Sequence, residues 1–211
     1  MLKKHPVLIS IIISILFLFT ATLYYPGGSQ KDRNSIGYDW KNNYISNLFN
    51  ETAVNGLKSG SRFWAAAGMF FLSFSFALFF IRFSKKIPLK GAARVIKYFG
   101  IASMVFAFLT ITPYHDEMVT ISGTLALVSI FYITVFVFKS KLQVFKILSV
   151  ICLLVAYSCN YIYYTGRFLA LLPVMQKLAV AILIIWMLGL EYFSSKEDFQ
   201  QKKTAVAATG K

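Results

Sequence analysis

The densest group of ionisable side chains in this sequence is the stretch Pro113-Tyr114-His115-Asp116-Glu117. An imidazole beside carboxylates has the residue types of a general acid/base pair. His115, Asp116 and Glu117 are therefore the candidate catalytic residues. A structural interpretation is also open, because Asp116 and Glu117 at the start of a helix would interact favourably with the helix dipole.

A second polar group follows helical spacing. Tyr157, Asn160, Tyr161 and Tyr164 lie at i, i+3, i+4 and i+7, which places them on one face of a helix. An amide buried in hydrocarbon is costly unless it is hydrogen-bonded, so Asn160 should face neighbouring helices or a wet cavity. The stripe predicts either a hydrogen bond between helices or the lining of a polar pocket.

Other polar side chains flank predicted helices at the same level as His115, and they could complete such a pocket. Taken singly, Arg and Lys at a membrane interface usually anchor a helix by reaching the headgroups. Only their convergence in space would make a ligand site. The predicted ligand-binding residues are Arg62, Tyr157, Asn160, Tyr161, Tyr164, Arg167 and Gln176, and the flanking residues Asp39 and Lys177 share their level.

Several kinds of site lack their residues in this sequence. The two histidines, His5 and His115, are expected at opposite ends of the bundle, so no metal site is predicted. Cys152 and Cys159 are seven apart on one predicted helix, a rise of about 10 Å, which exceeds disulfide reach. No glycine-rich phosphate loop, nucleophile elbow or HExxH motif occurs, and no cofactor is expected.

The elements that position these residues are long apolar runs. Hydrophobic residues make up 57% of the chain and charged residues 14%, against about 45–50% and about 25% in soluble domains. A helix needs about 20 mostly apolar residues to cross the hydrocarbon core. The sequence therefore predicts an all-α polytopic membrane protein, a six-transmembrane-helix bundle that forms one domain over residues 1–194. The predicted spans are 6–25, 62–83, 95–112, 118–138, 147–164 and 173–193.

The distribution of basic residues predicts the orientation. Most of the 22 lysines and arginines fall on the side of the two termini, and the positive-inside bias places that side in the cytoplasm. We expect an N-in/C-in protein of the plasma membrane. The net charge of +14 does not indicate nucleic acid, because the basic residues lie between apolar runs and not on one face of a soluble domain. Membrane lipids are the expected partners.

Two segments lie outside the spans. Residues 26–61 form an outer loop that opens with a Pro-Gly-Gly turn signal. Residues 195–211 are polar, then rich in Lys and Ala, and predict a disordered cytoplasmic tail. In the loop, apolar residues at roughly helical spacing predict a short interfacial helix, and they are Ile45, Leu48, Phe49 and Val54.

Several short motifs occur in a fixed order along the chain. They are Tyr44-Ile45-Ser46-Asn47-Leu48 leading to Asn55-Gly56, then Arg62, then Pro113 with His115-Asp116, then Leu172-Pro173-Val174-Met175-Gln176-Lys177 and Trp186. This order resembles an uncharacterised family of six-helix, mostly prokaryotic membrane proteins, similar in outline to the damage-regulated autophagy modulator type. The resemblance implies six helices, and it implies no activity, substrate or cofactor.

Three functions are compatible with these residues. The first is a non-enzymatic membrane protein that binds a lipid or a small polar ligand at its outer face. The second is an intramembrane enzyme that acts on lipid headgroups with His115 and Asp116 as an acid/base pair. The third is a small transporter, which would require a polar path that reaches Ser149 or Thr134 from the outer side.

Overall fold

A computed structural model describes residues 5–200 of the chain as an all-helical bundle. Its long helices are α1 (Pro6–Leu23), α2 (Ser61–Ser84), α3 (Lys90–Leu109), α4 (His115–Lys139), α5 (Gln143–Thr165) and α6 (Leu172–Phe193). All six are long and apolar enough to cross a membrane, which indicates a multi-pass membrane protein. Over the described residues, six apolar helices without strands confirm the predicted helix count and class.

The third predicted span is the one whose bounds differ most. The helix begins at Lys90 and ends at Leu109, whereas apolarity predicted 95–112. Basic residues are poor in hydrocarbon but are good helix formers, so the helix extends into the Lys- and Arg-containing segment. Helix α4 begins at His115 and not at 118. His115 therefore belongs to the first turn of a helix, and the connection contains only residues 110–114.

Neighbouring helices in the chain pack against each other, and α6 returns to contact α2 and α1. Close approach depends on two glycines of α2 and α3. A Cβ atom on Gly68 would lie 2.7 Å from Cγ of Leu18, and one on Gly100 would lie 2.2 Å from Cγ of Phe80. In addition, the Ser14 hydroxyl donates to the Gly68 carbonyl at 2.7 Å. Small residues allow these helix pairs to pack closely, as predicted for membrane bundles.

The main core lies towards one end of the bundle and is aromatic. Trp186 of α6 is fully buried beside Phe79 of α2, with ring centroids 5.9 Å apart. Its indole N–H donates to the Ser149 hydroxyl of α5 at 2.8 Å. Trp186 thus connects three helices and satisfies its only donor within the core.

We call this end of the bundle, with the connections 85–89, 140–142 and 194–200, the basic end. Here Arg82 Nε lies 2.7 Å from Oε1 of the buried Glu191. The Lys86 ammonium donates to the carbonyls of Leu190, Glu191 and Ser194 at 2.9 to 3.0 Å, which caps the C-terminus of α6. Burial lowers the pKa of Lys86, and the charge of Glu191 opposes that shift.

The first residues of the predicted tail, 195–200, pack against the basic end of the bundle. Glu197–Phe199 forms a 3-10 turn, and Ser195 N–H donates to the Asp198 carboxylate at 2.7 Å. The Phe199 ring is buried against Phe83, with centroids 5.3 Å apart. One aromatic side chain is enough to hold this short polar segment on the core. The rest of the predicted tail, residues 201–211, lies outside the described residues.

Candidate functional site

The opposite end of the bundle, which we call the loop end, carries residues 24–60, 110–114 and 166–171. Its long loop is packed around the fully buried Asn43, whose amide donates to the Gly28 carbonyl at 2.8 Å and accepts the Asp39 N–H at 2.8 Å. Gly28 has φ +81°, and a Cβ atom there would lie 2.3 Å from the Asn55 backbone nitrogen. A hydrogen bond from the Asn42 side chain holds the pKa of Asp39 below its ordinary value. The loop is therefore a compact structure.

The predicted interfacial helix is present in part and occupies a different environment. Ile45–Phe49 is a 3-10 helix, and Val54 lies beyond it. Leu48 and Phe49 are buried in a cluster with Ala21 and Ala65 of the bundle. The apolar side of this short helix packs against the protein, so the assignment to a membrane interface was wrong.

Two side chains at the start of α6 fasten the loop to the bundle. Gln176 Oε1 accepts the Ile45 N–H at 2.9 Å. The Lys177 ammonium donates to the carbonyls of Asn43 at 2.6 Å and Pro173 at 2.9 Å, and it lies 5.5 Å from the centroid of the Tyr38 ring. Gln176 was predicted to bind a ligand, but its side-chain carbonyl oxygen is occupied by this hydrogen bond to the loop backbone.

This contact gives a prediction about local stability. Lys177→Met keeps the length of the side chain and removes the ammonium, which leaves the Asn43 carbonyl without that donor. Because one hydrogen bond to a charged group contributes about 1.5 kcal/mol, we expect amide hydrogen exchange around Asn43 to become about tenfold faster. Lys41→Met, at an exposed position of the same loop, is the matched control. Equal exchange in the two variants would contradict the role of Lys177.

A cavity of about 170 Å³ opens between the 3-10 helix of the loop and the α3–α4 connection. Five of its lining side chains are polar, and they come from segments that are distant in the sequence. The lining residues are Ser46, Phe49, Asn50, Thr110, Ile111, Thr112 and His115. In this cavity the structure combines a candidate catalytic residue, His115, with a polar space that is open on one side.

His115 is positioned by its neighbours on α4 and α5. Its Nδ1 atom lies 3.0 Å from Oδ1 of Asp116, and the Tyr163 hydroxyl donates to the same carboxylate oxygen at 2.7 Å. In a neutral imidazole whose Nδ1–H donates to the carboxylate, Nε2 is an acceptor. The His115–Asp116 contact expected of an acid/base pair is present, while Glu117 is exposed and lines no part of the cavity.

No protein-family model, curated protein or solved structure matches this chain. The resemblance to a six-helix prokaryotic family therefore stays a prediction, and the function must be argued from the geometry. Within residues 5–200, no three His, Cys, Asp or Glu side chains come together where they could hold a metal ion.

The predicted tyrosine stripe does not line the cavity. Tyr157 is 65% exposed, and Tyr161 and Tyr164 are also exposed on the outside of the bundle. The Tyr164 hydroxyl donates to the Thr120 hydroxyl at 2.9 Å, which connects α5 to α4. In the structure, the stripe therefore contributes a hydrogen bond between helices and no part of the cavity lining.

Asn160 faces the neighbouring helix. Its amide donates to the Ala156 carbonyl of its own helix at 2.8 Å. Its Oδ1 atom would lie 3.3 Å from a Cβ atom built on Gly123 of α4. The absence of a side chain on Gly123 leaves room for the amide, so Asn160 serves the packing of α4 and α5.

The two predicted arginines lie apart from the cavity. Arg62 forms an ion pair with Glu51 of the loop. Arg167 is exposed in the α5–α6 connection. Of the predicted site residues, only His115 lines this cavity, and the other polar lining residues are not among the predicted site residues. The sequence could have indicated Thr110 and Thr112, because both lie within five residues of His115. No local pattern in the sequence indicates that Ser46 and Asn50 lie near His115.

Proposed function

We propose that this protein is a plasma-membrane protein with both termini in the cytoplasm, and that it binds a small polar ligand or a lipid headgroup in the cavity at its outer face. The observation that supports this function is the cavity itself, which is walled by hydroxyl, amide and imidazole groups beside a buried loop. Ligand sites typically combine such a concave space with a few convergent polar groups.

The size of the cavity favours a headgroup. Pockets for drug-sized ligands have volumes of about 300–1,000 Å³, whereas this cavity has about 170 Å³. It would accommodate a polar group of a few heavy atoms. A lipid would place its headgroup here and keep its acyl chains outside.

The orientation of the chain is the first point to test. Lys41 lies in the long loop, and Lys90 begins α3 at the basic end; both are exposed. In cells that produce Lys41→Cys or Lys90→Cys in a background without Cys152 and Cys159, an impermeant thiol reagent added outside should label position 41 and spare position 90 until the membrane is opened. Equal labelling of the two positions from outside would refute the orientation.

Binding is tested by removing the polar groups that face the cavity. Asn50→Ala combined with His115→Ala should lower the amount of lipid that co-purifies in mild detergent by about tenfold or more, because two hydrogen bonds of about 1 kcal/mol each are lost. Asn160→Ala combined with Arg167→Ala removes an equal number of polar side chains outside the cavity and serves as the matched control. Mass spectrometry of the extracted lipid gives the readout. Equal amounts of co-purifying lipid in the wild type and in the Asn50/His115 variant would contradict the proposal.

A catalytic function is the second candidate, and one observation favours it. His115 lies at the cavity with Nδ1 3.0 Å from Asp116, so Nε2 could take a proton from an attacking water while the carboxylate stabilises the imidazolium. Release of a water-soluble headgroup by the wild type, lost in His115→Ala, would establish catalysis. Intact lipid after prolonged incubation with the wild type would leave binding as the function.

The transporter has no comparable support in the structure. The Ser149 hydroxyl accepts the indole N–H of Trp186, and the Thr134 hydroxyl donates to the Ile130 carbonyl of its own helix. The two side chains that a polar path would need are engaged inside the bundle.

A further inference from the structure

We infer that the cavity selects a group that donates N–H hydrogen bonds and carries no net negative charge, with a primary ammonium of the ethanolamine type as the best fit. This inference rests on the proposed binding function and names its ligand class. It follows from the hydrogen-bond donors, the hydrogen-bond acceptors and the charges around the cavity.

The hydroxyl protons of two threonines at the end of α3 are already used in hydrogen bonds to the backbone of that helix. The Thr110 hydroxyl donates to the Ala107 carbonyl at 2.7 Å, and the Thr112 hydroxyl donates to the Leu109 carbonyl at 2.7 Å. A hydroxyl group has one donor and two acceptor lone pairs. Towards a ligand, both oxygens can therefore only accept.

His115 adds a further acceptor. In the tautomer whose Nδ1–H is directed to the Asp116 carboxylate at 3.0 Å, the imidazole presents Nε2 as a lone pair. Asn50 is exposed at the cavity, and its side-chain carbonyl oxygen can accept a hydrogen bond as well. Four of the polar lining groups can accept at once. Among the lining side chains, the donors with free capacity are the Asn50 amide and the Ser46 hydroxyl.

Charge points to the same class of ligand. None of the seven lining residues is a lysine or arginine, and Arg62, which lies apart from the cavity, is paired with Glu51 of the loop. Phosphate and carboxylate groups are normally bound by such cations. The C-terminal end of α3, at Thr110, contributes a partial negative charge to this region, and the carboxylates of Asp116 and Glu117 in the first turn of α4 oppose the partial positive charge of that helix start. Phe49 supplies an aromatic ring in the wall, which also suits a cation.

The test uses a headgroup series in which N–H donors are removed one at a time. Wild-type protein is placed in nanodiscs whose phosphatidylcholine matrix contains phosphatidylethanolamine or its N-methyl or N,N-dimethyl derivative, and bound lipid is counted by native mass spectrometry. Each methyl group removes one donor while the positive charge remains. We expect binding to fall at each step and to be at least tenfold weaker for choline than for ethanolamine, because each lost hydrogen bond contributes about 1 kcal/mol.

The Asn50/His115 variant and the Asn160/Arg167 control separate the failure of this inference from the failure of the proposed function. Equal binding of ethanolamine and choline lipids, lost in the Asn50/His115 variant, would overturn the selectivity and keep the cavity as a binding site. Preference for phosphatidylglycerol would likewise overturn the inference. Lipid binding that no cavity substitution changes would overturn both.

A soluble amine could present the same ammonium group as a membrane lipid, so one part of the experiment distinguishes these two ligands. Glycerophosphoethanolamine and glycerophosphocholine are added to protein in nanodiscs of phosphatidylcholine alone. Saturable binding of the ethanolamine compound only, absent in the Asn50/His115 variant, would support the selectivity and assign a soluble ligand. Binding of neither soluble compound, together with the graded lipid series, would assign the membrane lipid.

Discussion

Trp186→Ala is expected to lower the free energy of unfolding by about 3–5 kcal/mol, the usual range for truncating a buried tryptophan. Trp186 is the largest fully buried side chain of the described residues, and it packs against Phe79 where α2, α5 and α6 meet. Its loss would leave a cavity that rigid neighbouring helices cannot fill. Chemical denaturation in detergent micelles, followed by circular dichroism, measures the change.

Two further substitutions make that result interpretable. Trp186→Phe keeps most of the ring and leaves the Ser149 hydroxyl without its donor, so we expect a loss of about 1–3 kcal/mol. Trp40→Ala removes an exposed tryptophan of the loop and should change stability by less than about 0.5 kcal/mol. If Trp186→Ala were no more harmful than Trp40→Ala, the aromatic cluster would not be the core of this bundle.

Arg82→Ala is expected to have the second largest effect, a loss on the order of 3 kcal/mol, the lower end of the range for breaking a buried ion pair. The Glu191 side chain is 2% exposed, while that of Arg82 is 41% exposed. The cost arises mainly from the buried carboxylate, which would lose its counter-charge. Its second oxygen, Oε2, already lacks a hydrogen-bond partner among residues 5–200. The lower end of the range applies because water can still screen Arg82.

The double variant Arg82→Ala with Glu191→Leu distinguishes this cause from a simple loss of contact. Replacing a buried pair by apolar groups is often nearly neutral, so the double variant should recover most of the stability lost in Arg82→Ala alone. Lys85→Ala, at an exposed basic position nearby, is the control for charge at the basic end. A double variant as unstable as Arg82→Ala would contradict a penalty centred on Glu191.

Helix number followed from the sequence because a membrane bundle needs about 20 apolar residues per span, whatever its tertiary contacts. The bounds of α3 did not follow, since apolarity marks where hydrocarbon is favourable and not where the hydrogen-bonded helix ends. The packing of residues 195–200 did not follow either. It depends on the Phe199 ring meeting Phe83, and no local pattern in a polar segment indicates that distant contact.

The tyrosine stripe shows how much depends on helix rotation. Spacing alone placed Tyr157, Asn160, Tyr161 and Tyr164 on one broad face, and it left open whether that face looked into the bundle. The packing of Asn160 against Gly123 fixes the rotation of α5 and turns Tyr157 outward. The rotation of α5 therefore depends on a glycine of a neighbouring helix, and helical periodicity within α5 carries no information about that rotation.

By itself, the sequence determined six apolar helices and the adjacency of His115 and Asp116, because hydropathy and adjacency are local properties. Only the tertiary structure decided that His115 lines a cavity together with Ser46 and Asn50, which lie more than 60 residues earlier in the chain. Lys177 and Gln176 bring that loop onto the bundle through hydrogen bonds to its backbone. The site therefore depends on long-range hydrogen bonds to main-chain atoms of the loop. Every residue type has these atoms, so the residue types of the loop do not reveal the contacts.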